Sequence, residues 1–438
     1  MRYNPKRKHH RGIIVEYRKI CVIGLGYIGL PTACTFADQG IEVVGVDNNP
    51  QIITGLQQGR LHLFEPGLEE LVQRVLSTGK LRVSGQPESA DAFIIAVPTP
   101  FHDGKKADMS YVRSACDSIV PHLHRGNLVV LESTSPPRTT SDLVLPILER
   151  SGLRAGSDFL LAYSPERVLP GRILHELVEN VRVIGGIDLA SAQAGADLYR
   201  IIVRGHIIQT DATTAEMVKL MENTYRDVNI AVANEFSRLA QHFNIDIWEA
   251  IQIANLHPRV NILSPGPGVG GHCISVDPWF LVESAPDLTP LIRTAREVND
   301  SQPEFVLNQV KKILGNLHGK TIAAFGLAYK PDVDDFRESP AVHCVELLQK
   351  AGAIVRVHEP FLKGGIPGIK TFATAAETVQ ATDLILLLVN HSAFHEIDPL
   401  EILPLTSAHT VFDTVNGWDG TAWEQAGFKV FHLGSGKD

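Results

Sequence analysis

Short apolar runs recur along the chain, and longer stretches with one apolar face lie between them. Lys19-Ile20-Cys21-Val22-Ile23, Glu42–Val46, Ala92–Val97, Leu128–Leu131, Leu160–Tyr163 and Val181–Gly186 have the length and near-continuous apolar character of buried strands. Leu30–Gln39 reads as a helix closed by Gly40. Strands alternating with helices predict a parallel sheet covered on both faces. The pattern then changes. From Thr213 to Phe243 there are few breakers, and apolar residues recur at helical spacing at Met217, Leu220, Met221, Val228, Val232, Phe236 and Leu239. Thr213-Thr214-Ala215-Glu216 resembles a capping box at its start. A helix of this length is suited to a subunit interface. Further helical stretches are expected over Ile247–Asn255 and about 290–314. Alternation then returns, with strands at Lys320–Gly326, Ala353–His358, Leu384–Val389, Val411–Thr414 and Lys429–Phe431, and a helix at Val342–Lys350.

The first strand runs directly into Gly24-Leu25-Gly26-Tyr27-Ile28-Gly29, and the second ends at Asp47. This is a βαβ dinucleotide pattern rather than an isolated glycine triplet. Gly24 makes the tight turn, Gly26 lets a pyrophosphate approach, Gly29 lets helix pack on strand, and the helix N-terminus faces the phosphates. Asp47 is spaced to bind a ribose 2′-hydroxyl and would repel a 2′-phosphate; no arginine follows it in Asn48-Asn49-Pro50-Gln51. The expected cofactor is NAD rather than NADP. Thr99, Thr134 and Glu166 each follow a strand end, where ligands of open α/β sheets bind. Each also has a plain reading, as a turn hydroxyl, a helix cap or a surface acid. The second α/β unit has Gly326-Leu327-Ala328-Tyr329-Lys330 in place of the glycine fingerprint, so it is not an ordinary dinucleotide site. Its Lys330 and Arg337 could meet phosphate, or could be solvated charges beside Asp332, Asp334 and Asp335. The fold class is therefore α/β, with two doubly wound Rossmann-like domains joined by a helical middle domain. We place a basic, disordered tail at 1–17, a dinucleotide domain at 18–205, a helical dimerising domain at 206–314 and a second Rossmann-like domain at 315–438.

Between the two α/β units lies Gly266-Pro267-Gly268-Val269-Gly270-Gly271-His272-Cys273, with Asp277-Pro278-Trp279 just beyond. Glycines let a backbone turn sharply and let a ligand come close. Pro278 suits the first turn of a helix, and Asp277 before it suits the N-cap. Cys273 would then stand at a helix mouth, where N–H groups favour thiolate; the alternative is a structural cysteine in a turn. Lys219 and Asn223, four apart, share one face of the long helix. Lys219 either snorkels from that face or is functional.

The chain has 438 residues, of which 44% are hydrophobic and 20% charged, and this bounds it to a soluble globular protein of two or three domains. A net charge of −9 argues against nucleic acid and anionic membrane as partners, and no apolar run is long enough to span a bilayer. The five cysteines (Cys21, Cys34, Cys116, Cys273, Cys344) form neither a CxxC nor a disulfide framework, which fits a reducing cytoplasm and gives no metal site. Cys21, Cys34 and Cys344 sit in apolar surroundings as expected core residues.

The ordered set Gly24-Leu25-Gly26-Tyr27-Ile28-Gly29-Leu30-Pro31, Ser164-Pro165-Glu166-Arg167, Glu216 through Lys219 to Asn223, Gly270-Gly271-His272-Cys273, and Gly326–Lys330 through Arg337-Glu338-Ser339 resembles the UDP-glucose/GDP-mannose dehydrogenase family. His257-Pro258-Arg259-Val260-Asn261 and the run from Gly266 to Phe280 look most like the UDP-N-acetyl-D-mannosamine dehydrogenases within it. UDP-N-acetylglucosamine and UDP-glucose are alternative substrates, and an inactive NAD- or nucleotide-sugar-binding protein is the alternative outside enzymes. The resemblance implies an NAD-dependent, four-electron oxidation of a UDP-sugar C6 alcohol to the carboxylate by a cytoplasmic homodimer serving polysaccharide biosynthesis. It implies Cys273 as the nucleophile, through a thiohemiacetal and a thioester. Lys219 and Asn223 would stabilise the oxyanion, Asp277 would act as or orient a base, and Glu166 and Thr134 would handle water. Gly24, Gly26, Tyr27, Ile28, Gly29, Asp47, Thr99, Thr134 and Arg337 would hold NAD. Glu166, Arg167, Lys219, Asn223, Gly271, Lys330 and Arg259, the last reaching a neighbouring subunit's site, would hold substrate.

Overall fold

The computed structural model describes residues 17–436 apart from 103 and 272. Residues 1–16 of the expected tail, and His272 of the glycine-loop motif, lie outside the described residues. Tyr17, the last residue of that expected tail, is instead buried, and its hydroxyl donates to the Ala194 carbonyl at 3.0 Å. An aromatic ring with a buried hydroxyl partner belongs to the core it packs in. The chain forms two compact units that divide after Met221, inside one long helix.

The first unit contains strands β1 (Lys19–Ile23), β2 (Glu42–Val46), β3 (Leu81–Ser84), β4 (Ala92–Ile95), the hairpin β5 (Phe101–His102) and β6 (Lys106–Ala107), β7 (Leu128–Leu131), β8 (Leu160–Tyr163), β9 (Arg182–Gly186) and β10 (Ile207–Asp211). Among the described residues eight of these form one sheet in the order β10-β9-β8-β7-β4-β1-β2-β3. The central run is the doubly wound order, with its switch point between β1 and β4. All neighbours are parallel except β8 and β9, which pair antiparallel through Ala162 and Gly186. Alternation along β1 builds both faces: Ile20 and Val22 join Leu30 and Phe36 on one side, while Cys21 and Ile23 join Phe93 and Cys116 on the other. The two edge strands, β3 and β10, escaped the sequence reading. Edge strands keep one side in water, so β10 is mostly exposed and β3 alternates.

The second unit opens with the rest of that long helix, followed by helices Ile247–Ala254, Asp277–Ser284, Pro290–Asp300 and Gln302–Leu314. The single helix expected over about 290–314 is thus two, broken at Ser301 with Pro303 in the first turn of the second; a proline ring cannot continue the preceding helix. Strands β11 (Thr321–Phe325), β12 (Ile354–His358), β13 (Lys370–Phe372), β14 (Leu384–Leu387), β15 (Thr410–Asp413) and β16 (Lys429–His432) form an all-parallel sheet ordered β13-β12-β11-β14-β15-β16.

The long helix spans Ala212–His242. Its start differs from the expected capping box. Asp211 accepts from the Thr214 N–H at 2.8 Å and from its hydroxyl at 2.6 Å. Glu216 is buried and reaches away, accepting from the N–H groups of Arg138 and Thr140 and from the Thr140 hydroxyl. The apolar stripe also differs: Met217, Met221, Val232, Phe236 and Leu239 keep 37–55% exposure, while the buried side is made of Ala215, Leu220, Ala231, Ala233 and Ala240. Among the described residues no helix is long and apolar enough to cross a membrane, and no group of three or more His, Cys, Asp or Glu could hold a metal.

Candidate active site

In the first unit the site is built at the carboxyl ends of the central strands. Gly24 has φ +95°, and a Cβ there would lie 2.5 Å from the Ala96 carbonyl oxygen; a Cβ at Gly29 would lie 1.8 Å from the Gly24 carbonyl oxygen. Both are required by the turn itself. Gly26 is exposed, with nothing within 4 Å of a Cβ position. It therefore leaves open backbone between Leu25 and Tyr27. The helix Gly29–Asp38 begins at Ile28 with no side-chain cap and no acid in its first turn, which suits a phosphate. Asp47 stands beyond β2; one carboxylate oxygen accepts from Leu25 N–H at 3.0 Å and the other from Asn49 N–H at 2.9 Å. A carboxylate has lone pairs beyond these two bonds, so Asp47 can brace the glycine turn and still receive a ribose hydroxyl. These residues fit NAD.

The loops after β4 and β7 are tied together, because the Thr99 hydroxyl donates to the Thr134 carbonyl at 2.7 Å and the Ser133 hydroxyl to the Val97 carbonyl at 2.7 Å. Glu216 fixes the same β7 loop from its far end, through Arg138 and Thr140. Beyond β8, Glu166 is buried. One of its oxygens accepts from the Arg167 N–H at 2.6 Å and the other from the Arg182 guanidinium at 2.8 Å. The Arg167 side chain turns to the Val181 carbonyl at 3.0 Å. In sequence, Arg182 shows only as one residue of the Val181–Gly186 strand. The signal was there: a charge inside an apolar strand must find a buried partner.

Lys219 retains only 9% exposure. A snorkelling lysine keeps its ammonium in water, so burial favours the functional reading. One turn further along the helix, Asn223 is buried and its amide donates to Asp277 at 2.6 Å.

Asp277 is therefore not the N-cap of its helix. It is the first helical residue after Val276, and its carboxylate engages Asn223. The role expected of the capping carboxylate falls to the Cys273 carbonyl, which accepts from Val276 N–H at 3.1 Å and Asp277 N–H at 2.8 Å; Trp279 N–H goes to the Val276 carbonyl. These first-turn N–H groups all meet backbone oxygens. Cys273 itself is exposed, while Cys21, Cys34, Cys116 and Cys344 are buried. Burial pushes the thiols of Cys21 to about 11 and of Cys34 and Cys116 to about 12, with Cys344 raised as well.

The glycine loop is clamped at both ends. The Gly266 N–H donates to Asn234 and its carbonyl accepts from Gln302, each at 2.9 Å. Asn234 is held by Asn299, and Asn299 by Asp227, which pairs with the buried Arg296. At the other end the Gly271 N–H donates to the Arg337 carbonyl at 3.3 Å, and its carbonyl accepts from the Ser275 hydroxyl. A Cβ on Gly270 would lie 2.3 Å from the Glu338 carbonyl oxygen, and one on Gly271 2.7 Å from the Tyr329 ring. The glycines expected to admit a ligand thus admit the 329–338 loop. Lys330 lies on that loop, its ammonium 5.8 Å from the Tyr329 ring centroid. Arg337 is exposed, with its guanidinium forked onto Asp335 at 2.8 and 2.7 Å. Arg259 is exposed on the segment between the Ile247–Ala254 helix and the glycine loop.

Three models of the UDP-glucose/GDP-mannose dehydrogenase family match in succession: the NAD binding domain at residues 18–203, the central domain at 213–301 and the UDP binding domain at 323–420. The chain is 48% identical to the UDP-N-acetyl-D-mannosamine dehydrogenase of Methanocaldococcus jannaschii, over 96% of this chain and 97% of that protein. It is 47% identical to an NDP-N-acetyl-D-galactosaminuronic acid dehydrogenase of Ralstonia nicotianae, over 93% and 98%. Among solved structures, a UDP-D-ManNAc dehydrogenase from Pyrococcus horikoshii is similar with a TM-score of 0.89 and 41% identity, covering 96% of this chain and all of that one.

Proposed function

The chain belongs to the UDP-glucose/GDP-mannose dehydrogenase family, and from that premise we propose that it oxidises C6 of UDP-N-acetyl-D-mannosamine to the carboxylate, with Cys273 as nucleophile. It is an NAD-dependent nucleotide-sugar dehydrogenase. The observation that carries the nucleophile is exposure: Cys273 is the exposed thiol of five, four residues before an aspartate bonded to Asn223, one turn along the helix from Lys219. We assign NAD to residues 18–205, the dimerising role to 206–314 and UDP to 315–438.

NAD, when bound, supplies the hydride acceptor for each of two oxidations, with Gly24, Gly26, Tyr27, Ile28, Gly29, Asp47, Thr99 and Thr134 holding it. Lys219 offers a buried positive charge to the oxygen that becomes negative as the C6 alcohol loses its proton. Asn223 holds Asp277 in place to take that proton. The Cys273 sulfur adds to the aldehyde carbon and keeps it covalently bound as a thiohemiacetal. Loss of the second hydride leaves a thioester, and Glu166 with Thr134 directs water onto it. Lys330 meets the substrate pyrophosphate, joined by Arg337 once its guanidinium turns from Asp335; Arg167 and Arg259 add positive charge.

The sugar assignment rests on relatives of that name, and relatives named for N-acetyl-D-galactosaminuronic acid favour a second reading, an acetamido sugar of galacto configuration. A panel of UDP-hexoses assayed with NAD and with NADP decides between them. UDP-N-acetyl-D-mannosamine is expected to yield two NADH per sugar; one NADH per sugar with free aldehyde would sink the four-electron reaction. The exposed apolar residues along the Ala212–His242 helix support a homodimer, and scattered cysteines outside any disulfide support a reducing cytoplasm.

A further inference from the structure

Behind Glu166 lies a set of buried charges with no assigned role. Arg182, at the start of β9, is 5% exposed, and it is surrounded by four groups: Glu132 just beyond β7, Ser164 and Glu166 just beyond β8, and Tyr199 at the end of the Leu189–Tyr199 helix. Its Nε donates to the Ser164 hydroxyl at 2.8 Å, one terminal nitrogen donates to Glu166 at 2.8 Å, and the other donates to Glu132 at the end of β7. The Tyr199 ring lies 4.0 Å from the guanidinium carbon, and the Tyr199 hydroxyl donates to the same Glu132 oxygen at 2.8 Å. The remaining Glu132 oxygen is buried without a hydrogen-bond partner. One permanent cation thus faces two carboxylates in a buried site, and only one of the two can be fully compensated.

We propose that Arg182 is a positioning residue for hydrolysis, orienting Glu166, and that Glu132 competes for its charge. The inference rests on the reading of Glu166 as the group that handles water. In that step the water oxygen bonds to the thioester carbon, the C–S bond breaks with its electron pair left on the Cys273 sulfur, and the water proton passes to Glu166. Glu166 can do this only as a carboxylate aimed at the water. Both of its oxygens are fixed, one by the Arg167 N–H and one by Arg182. Burial pushes the Glu132 carboxyl up to about 7, against the pull of Arg182 and aided by the charge of Glu166. Below that pH Glu132 is neutral and Arg182 is left to Glu166. Above it Glu132 is charged and takes a share of the guanidinium. The groups facing Arg182 (Glu132, Ser164, Glu166 and Tyr199) include no second cation to make up the difference.

The test is single-turnover kinetics on the full-length protein with UDP-N-acetyl-D-mannosamine and NAD, following NADH release and the mass of the Cys273 adduct. Arg182→Lys keeps the charge, but its three donors sit on one nitrogen and cannot reach the three separated acceptors that the planar guanidinium spans. It is expected to form NADH at the wild-type rate and to hydrolyse the thioester about a hundredfold more slowly, so that the adduct accumulates. Glu132→Gln is nearly isosteric and is expected to remove an inflection near pH 7 from the hydrolysis profile. NAD binding and thermal melting check that each variant is folded; if Arg182→Lys is not, Glu132→Gln decides alone. Slow hydrolysis in Glu166→Gln, with a wild-type rate in Arg182→Lys or an unchanged inflection in Glu132→Gln, overturns the proposal and leaves the reading of Glu166 intact. Wild-type hydrolysis in Glu166→Gln overturns both.

Discussion

A methyl group on residue 271 would meet the Tyr329 ring at 2.7 Å, on a backbone already at φ +84°. Gly271→Ala is therefore expected to lower stability by about 1–3 kcal/mol and to slow turnover more than NAD binding; thermal melting and cofactor titration separate the two. Glu132 makes a prediction about pH with a definite sign. Its carboxyl is raised by burial from an ordinary 4.5 to about 7 in the folded chain. Between these values the folded state holds a proton that the unfolded state has lost, so the stability it contributes is full at low pH and disappears as pH rises through 7. The wild type should lose on the order of 3 kcal/mol relative to Glu132→Gln between pH 5 and pH 8, measured by urea unfolding. A variant whose stability falls in parallel with the wild type would place that titration elsewhere. Cys273 and its glycine frame could be read in the sequence because cysteine, glycine and proline act through local chemistry. That Arg182 needs a buried partner could be read as well, but that the partner is Glu132 could not, because 50 residues separate them and only the sheet order β9-β8-β7 brings them together.

The central strands were legible element by element, because a strand buried on both faces is apolar throughout. β3, β10 and β13 were not, since a short strand that keeps one side in water can resemble a polar loop in sequence. The two helix starts that were misread share one cause. In each, an acid in capping position was claimed by a distant partner: Glu216 by the 138–140 backbone, and Asp277 by Asn223. Helix capping is a local rule, and these side chains answer to tertiary contacts instead. The glycine loop is held the same way, through Asn234 and Gln302 on two different helices. Asn234→Ala removes the acceptor for the Gly266 N–H and the donor to Asn299 together. It is expected to cost about 1–3 kcal/mol and to raise amide exchange locally at Gly266; protection there equal to wild type would show that Gln302 suffices.

At the scale of the molecule, the long helix turns large apolar side chains outward and small ones inward. Met221, Tyr225, Val232, Phe236, Leu239 and Phe243 follow one another at spacings of a helical face, and each is at least 39% exposed. In the homodimer proposed above, Phe236→Asp is expected to give monomers by sedimentation velocity, and a dimer that persists with unchanged affinity would move the interface off this helix. The distribution of sulfur has a practical consequence. All five cysteines lie among the described residues, and four are sealed in cores that hold their thiols protonated. A maleimide or an iodoacetamide dye should thus enter one position per chain before unfolding, and under the role proposed for Cys273 the labelled fraction would count competent nucleophiles directly. Peroxide would follow the same route, converting Cys273 to a sulfenic acid first, so that, with Cys273 in the proposed role, oxidation at this one residue would silence the enzyme while the fold around it stays whole.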